Sequence, residues 1–296
     1  MGDVKGDPAK SPDAKVPKTN SKKSYADALD TGASGPGPAI TDENYYSRKK
    51  NKFLGIIFNM TEFQCEGIQK GTTYKNEEEV EKLKLALESI GCEFNTDIHT
   101  NKKAKEVYAT LEELANNESV LGEVDGFLCW IITHGKGNTL YATDEKLVFD
   151  SIIKPFTGDT CRKLLAKPKV FFFQAMNVPA KVCETDGGQR RPSGAIQPEE
   201  SDFNLPKMSD FFFAYSTAPG FFEHPDEEGT TLFMRLFTKV LEEEVPAEPA
   251  RVELATLMSL VIREAKNHYE KKREAVPVYH VPCVMSTLIR HVPLFK

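Results

Sequence analysis

At 296 residues and 33.1 kDa, the chain has room for one large domain or two small ones. Its 28% charged and 40% hydrophobic residues are ordinary for a globular protein, and a formal net charge of -6 speaks against a nucleic-acid partner, which favours basic faces. No apolar run reaches membrane-spanning length and the N-terminus carries no apolar leader core. Its six cysteines are too few for a disulfide scaffold and lack metal-ligand spacing, so a reduced, cytoplasmic protein with no metal or cofactor is expected.

Residues 1–50 are rich in Lys, Asp, Pro, Gly and Ser and poor in large apolar groups. Such a segment cannot bury enough surface to offset its ordering entropy, so a disordered tail is predicted, ending in a solvated Arg48-Lys49-Lys50. A first buried strand follows at Phe53–Asn59. The acidic run Glu77-Glu78-Glu79 suits a helix N-terminus, Val80, Leu83, Leu87 and Ile90 recur at helical spacing, and Gly91 stands where such a helix would be capped. A second strand is expected over Cys92–Thr96 and a second helix over Lys103–Asn116, with Val107, Leu111 and Leu114 on one face.

The third strand, Gly126 to Ile132, leads to Thr133-His134-Gly135. A short connecting element spans 147–156, and a fourth strand, Val170 to Phe173, runs through Gln174-Ala175-Met176 to a stop at Asn177-Val178-Pro179. The stretch from Cys183 to Lys207 is polar and turn-rich and reads as an exposed linker, where proteolysis concentrates. Order resumes with the strand beginning at Asp210-Phe211-Phe212-Phe213 and stopping at Pro219-Gly220. Helices are predicted over Thr231–Glu243 and Val252–Tyr269, and a final strand over His280–Ile289. Strands alternating with helices imply right-handed crossovers and a mostly parallel sheet, whose chemistry sits at the carboxyl ends of the strands.

Two of those strand ends carry the argument. One presents His134-Gly135, and the neighbouring slot, where a nucleophile would be expected, reads Gln174-Ala175-Met176-Asn177-Val178. This framing resembles the caspases, cysteine peptidases that cut after Asp, whose signature is Gln-Ala-Cys-(Arg/Gln/Gly)-Gly with its His about 50 residues upstream. Phe156–Arg162 and Lys167-Pro168-Lys169 look like the family's approach to the nucleophile strand, and Ala214–Gly220 matches its small-subunit strand. The resemblance runs from about Phe53 to Lys296. It implies an α/β three-layer sandwich with a central, mostly parallel six-stranded sheet and helices on both faces. It divides the chain into a prodomain-like tail (1–50), a large-subunit-like region (51–186), a linker (187–207) and a small-subunit-like region (208–296).

The same resemblance assigns roles. His134 keeps the position of the family's general base and Gly135 the adjacent turn. Met176 replaces the nucleophilic Cys, and a thioether has no proton to lose. Caspases grip the substrate Asp with two Arg and the signature's Gln. Here Gln174 remains, but the Arg slots hold Gln69 or Lys70 and, after the small-subunit strand, Pro225. Glu184-Thr185-Asp186 before Gly187 resembles a caspase cleavage sequence at the subunit junction, and Asp27-Ala28-Leu29-Asp30 has the Asp-x-x-Asp form. An upstream caspase is therefore the expected processing protease, at Asp186 and Asp30. The strand 280–289 resembles the one through which caspases pair, so the expected partner is an active caspase, as heterodimer or as target of a decoy, or a second copy of this chain. The expected function is regulation of an active caspase in apoptosis by a chain that is not itself an enzyme. The alternatives are a cysteine peptidase with a displaced nucleophile, for which Cys183 is the candidate, and a homodimeric scaffold.

Overall fold

The computed structural model describes Gly2, 42–65, 68, 73–94, 98–136, 139–176, 208–218, 231–247, 253–272 and 281–294. The chain divides into two units, Met1–Ala39 and Ile40–Lys296, and every element named below belongs to the second. In chain order these are β1 (Phe53–Asn59), α1 (Glu77–Ser89), β2 (Cys92–Phe94), β3 (His99–Thr100), α2 (Ala104–Asn116), α3 (Glu118–Gly122), β4 (Gly126–Lys136), β5 (Thr139–Tyr141), β6 (Lys146–Leu147), α4 (Phe149–Ile153), β7 (Lys169–Met176), β8 (Phe211–Tyr215), α5 (Leu232–Ala247), α6 (Leu254–Lys272) and β9 (Cys283–Ser286).

Six strands run in the order β2-β1-β4-β7-β8-β9, parallel throughout except for the antiparallel β8–β9 pair. The expected caspase-like α/β sandwich is what forms. β3 extends the pairing of β1, and β5 with β6 makes a small antiparallel ribbon on the end of β4. Successive side chains of a strand point to opposite faces, so a phenylalanine run can feed two layers at once. Phe172 stacks on Trp130, and both rings pack against Phe237 of α5. Phe171 and Phe173 turn the other way, towards Phe156 and Phe149, which follow β6. The absence of hydrophobic–polar alternation in these runs thus reports helical cover on both faces. α1 and α6 pack beside α5 on one side, while α2 and α4 pack together on the other.

Local chemistry sets the element ends. The first turn of α1 holds Glu77, Glu78 and Glu79 against the positive end of the helix dipole. Past its end, Gly91 adopts φ 88°, a left-handed conformation in which a Cβ is strained. A Cβ at Gly55 of β1 would lie 2.6 Å from the Cys92 Sγ, so the narrow residue permits β2 to lie alongside.

Three expectations are corrected. Residues 42–50, assigned by composition to the tail, belong to the folded unit. Tyr46 is buried, its N–H donates to the His291 carbonyl and its hydroxyl to Asp210 Oδ1 at 2.7 Å. Arg48 is no solvated linker residue: its guanidinium donates to the carbonyls of Pro293 and Ile90 and lies over the Phe53 ring. Polar composition hid a strap whose few apolar groups all find partners. Second, β4 does not turn at Gly135. It continues to Lys136, with Gly135 paired opposite Leu140. Third, the last strand is shorter than 280–289. β9 ends at Ser286, because the Tyr46 hydroxyl accepts from the Ile289 N–H and draws the chain into a bridge with Tyr45. His280 lies outside the described residues, as does the linker 187–207.

Candidate active site

The site lies where β4 and β7 end together. Their register places His134 directly opposite Met176. Both side chains share the face that carries Trp130 and Phe172, the side covered by α5. The sequence expectation that these two strand ends meet is met by the geometry. His134 is 5% exposed and Met176 is fully buried.

The imidazole has an unexpected neighbour. The Tyr74 hydroxyl stands 2.7 Å from His134 Nδ1 and donates to the Met176 carbonyl at 3.2 Å. Phe63 and Tyr141 complete an aromatic surround, with ring centroids 5.5 and 5.9 Å from that of His134. Tyr74 is anchored from β1. Its N–H donates to the Thr61 carbonyl at 3.0 Å. Asn76, the N-cap of α1, turns its amide away from the helix into a reciprocal pair with Asn59 at 2.9 and 3.0 Å. Asn101 Oδ1 then accepts from the N–H groups of Thr61 and Glu62.

Gln174 is fully buried, and its amide donates to the Thr231 hydroxyl just ahead of α5. Ser216, past the end of β8, accepts from the Ala175 N–H at 3.3 Å. Gln69, Lys70, Pro225, Cys183, Asp186 and Asp30 lie outside the described residues. The structure therefore brings His134, Gly135, Gln174 and Met176 together and leaves the two Arg-slot substitutions and both cleavage candidates where the sequence left them.

No described cysteine takes over as an activated thiol. Cys65, Cys92, Cys129, Cys161 and Cys283 are all free, and burial pushes each thiol above its ordinary range. Among the described residues no cluster of His, Cys, Asp or Glu is arranged to hold a metal ion. No described helix is long and apolar enough to cross a membrane.

A family model for the caspase domain matches residues 53–292. The chain belongs to the caspase family. Its curated relatives include caspase drICE of Drosophila melanogaster, 27% identical over 263 residues, covering 85% of this chain and 73% of that one. Caspase-1 of Spodoptera frugiperda is 28% identical over 291 residues, covering 92% and 91%. The crystal structure of the Spodoptera caspase-1 superimposes with a TM-score of 0.65 at 24% identity, over 88% of this chain and 96% of that one. The structure of its pro form gives 0.67 at 25%, over 88% and 98%.

Gln174 and Ala175 lead β7 to Met176, and Met176 lies in register with His134 of β4. Tyr74 is the site residue that sequence reading missed. Its only signal was an aromatic residue two positions ahead of an N-cap Asn, a pattern that says nothing about which strand end the ring will reach.

Proposed function

We propose that this chain is a non-catalytic caspase homologue that regulates an active caspase in apoptosis, by pairing with it or by acting as its decoy. One observation carries the reading: the residue in register with His134 is a methionine. Peptide cleavage by this family's chemistry needs a thiolate, a base to generate it and donors for the oxyanion. Met176 offers no ionisable proton, and the described cysteines, pushed up by burial, offer no substitute. The substrate grip is changed as well. A planar guanidinium holds a carboxylate through two hydrogen bonds, whereas Gln69, Lys70 and Pro225 cannot.

Pairing is supported by the sheet edge. β9 is the last strand in the order, and Val284 and Met285 are each 42% exposed. An edge strand with apolar side chains needs cover, and a two-fold antiparallel mate supplies it. A live caspase seated there would have its competent state favoured or disfavoured according to which state binds better. Cleavage at Asp186 and Asp30 by an upstream caspase belongs to the same reading, as does a cytoplasmic setting, which the free described thiols suit.

The test mixes the purified chain with active caspases of the same organism and follows hydrolysis of a fluorogenic Asp peptide. The expected result is silence from the chain alone and a changed rate in the mixture, whose direction gives the sign of the regulation. Turnover by the chain alone, abolished by His134→Ala, would overturn it.

A further inference from the structure

A buried imidazole needs a hydrogen-bonding neighbour, because a polar group without one is costly in a protein interior. Tyr74 supplies it. A phenol carries one proton and accepts through its lone pairs. With its proton on the Met176 carbonyl, the Tyr74 oxygen accepts from an Nδ1–H. With its proton on Nδ1, the imidazole is the acceptor. In either arrangement the Nδ1 position is occupied.

The placement of that hydroxyl matters as much as its existence. Its second contact is the main-chain carbonyl of residue 176, so the phenol bridges the ring and the very residue that the family uses as nucleophile. The bridge does not depend on the side chain at 176. Tyr74 is held by Thr61 and by the Asn59–Asn76 pair, and its ring stands edge-on to Phe63 at 5.9 Å. All of these anchors belong to β1 and the segments around it. A change at 176 leaves every one in place.

We propose that Tyr74 is an internal ligand of His134, a positioning residue that withholds Nδ1 of the imidazole from any side chain at position 176. The site is then closed twice, once by the loss of the thiol and once by the gain of a phenol. This deepens the non-catalytic reading and rests on it. It concerns how the site is held shut, which is separate from what the chain does to a caspase.

The experiment places a thiol at 176 and asks whether His134 pairs with it. Thiolate formation is followed by ultraviolet absorbance against pH, each Met176→Cys variant being measured against the same chain with Met176, so that other thiols and tyrosines cancel. A Cys paired with an imidazolium titrates roughly one to several units below the free value of about 8.5. The expected midpoint for Met176→Cys is at or above that value. In Tyr74→Phe/Met176→Cys, which keeps the ring and removes only the hydroxyl, it falls by at least about one unit. Adding His134→Gln returns it. Tyr74→Leu/Met176→Cys is the second variant, with different packing and the same expected fall.

A low midpoint in Met176→Cys alone overturns the proposal, because the imidazole was then available all along. An unchanged midpoint after both Tyr74 substitutions overturns it too, because the hydroxyl is then not what separates the pair. The caspase-mixing assay uses the unmodified chain, so either reading can fail without the other.

Discussion

β4 and β7 bury polar groups at both ends, and the two ends do so in opposite ways. At the carboxyl end His134 faces Met176 and takes a neutral phenol as its partner. At the amino end of β7, Lys169 keeps a buried ammonium. Its Nζ donates to the Leu164 carbonyl at 3.1 Å, lies 5.1 Å from the Phe211 ring centroid and stands 3.8 Å from Asp210 Oδ2. Asp210 in turn accepts from Tyr46, which ties the 42–50 strap to the start of β8. One end pairs an imidazole with a hydroxyl; the other keeps an ammonium beside a carbonyl, a ring and a carboxylate. The first is the pair on which the proposed function bears, and the second is a pair that holds the fold.

The sharpest way to break that comparison is at the base. Asp210→Asn keeps the shape and, like Asp, tolerates the φ of 65° at this position, but leaves Lys169 buried without a counter-charge. Removing one partner of a buried pair costs about 3–5 kcal/mol, so urea unfolding should show a loss of that order. Pairing it with Lys169→Met should recover most of the loss. A single-variant cost below about 1 kcal/mol would mean the pair is incidental.

The second effect is a pH dependence with a defined sign. Burial, the largest cause, pulls the Lys169 ammonium down to about 8, although Asp210 opposes it. Between about 8 and the unfolded lysine value of about 10.4 the unfolded chain binds the proton more tightly, so this group's contribution to stability rises with pH there, by at most about 1.4 kcal/mol per unit. Buried thiols and Tyr46, pushed up by burial, work in the other direction. The stability difference between the parent chain and Lys169→Met isolates the lysine. It should grow in the parent's favour from pH 8 to pH 10, on the order of 1 kcal/mol per unit. A flat or falling difference would place the ammonium in a wetter setting than its 3% exposed side chain indicates.

The same contrast explains which parts were legible in the chain itself. The phenylalanine runs of β7 and β8 announce strands covered on both faces, because no residue in them alternates to a polar partner. His134 and Met176 were found together because strand ends in a parallel sheet converge, whatever sits between them. Tyr74 and Asn76 were not, because their partners lie on β1 and β4, and no local period encodes a contact across loops. The 42–50 strap was missed for a related reason. Its polar composition predicts solvation, yet Tyr46 reaches the Asp210 carboxylate and Arg48 the Pro293 carbonyl, both far along the chain. Composition reports average burial and is blind to two well-placed anchors.

The smallest expected effect on stability carries the largest expected effect on function. β9 pairs its Val284 and Met285 with Ala214 and Phe213 of β8 through the backbone, while their side chains remain substantially exposed. Replacing both with Glu removes no buried contact of the described core, so the folding cost should stay under about 1 kcal/mol. Two carboxylates facing their own copies are instead repulsive across a two-fold seam, where like charges directly opposite are unfavourable, and against the edge of another chain they have to be stripped of water. The double variant should therefore unfold at nearly the parent's urea midpoint and yet lose its effect on caspase activity in the mixing assay. If it kept the full effect, the edge strand would be excluded as the contact, and a decoy action, which requires no sheet pairing, would be the surviving form of the proposal. If it unfolded several kcal/mol earlier, β9 would belong energetically with the buried strands beside it, and the line between the part that folds and the part that meets a partner would have to be drawn further out.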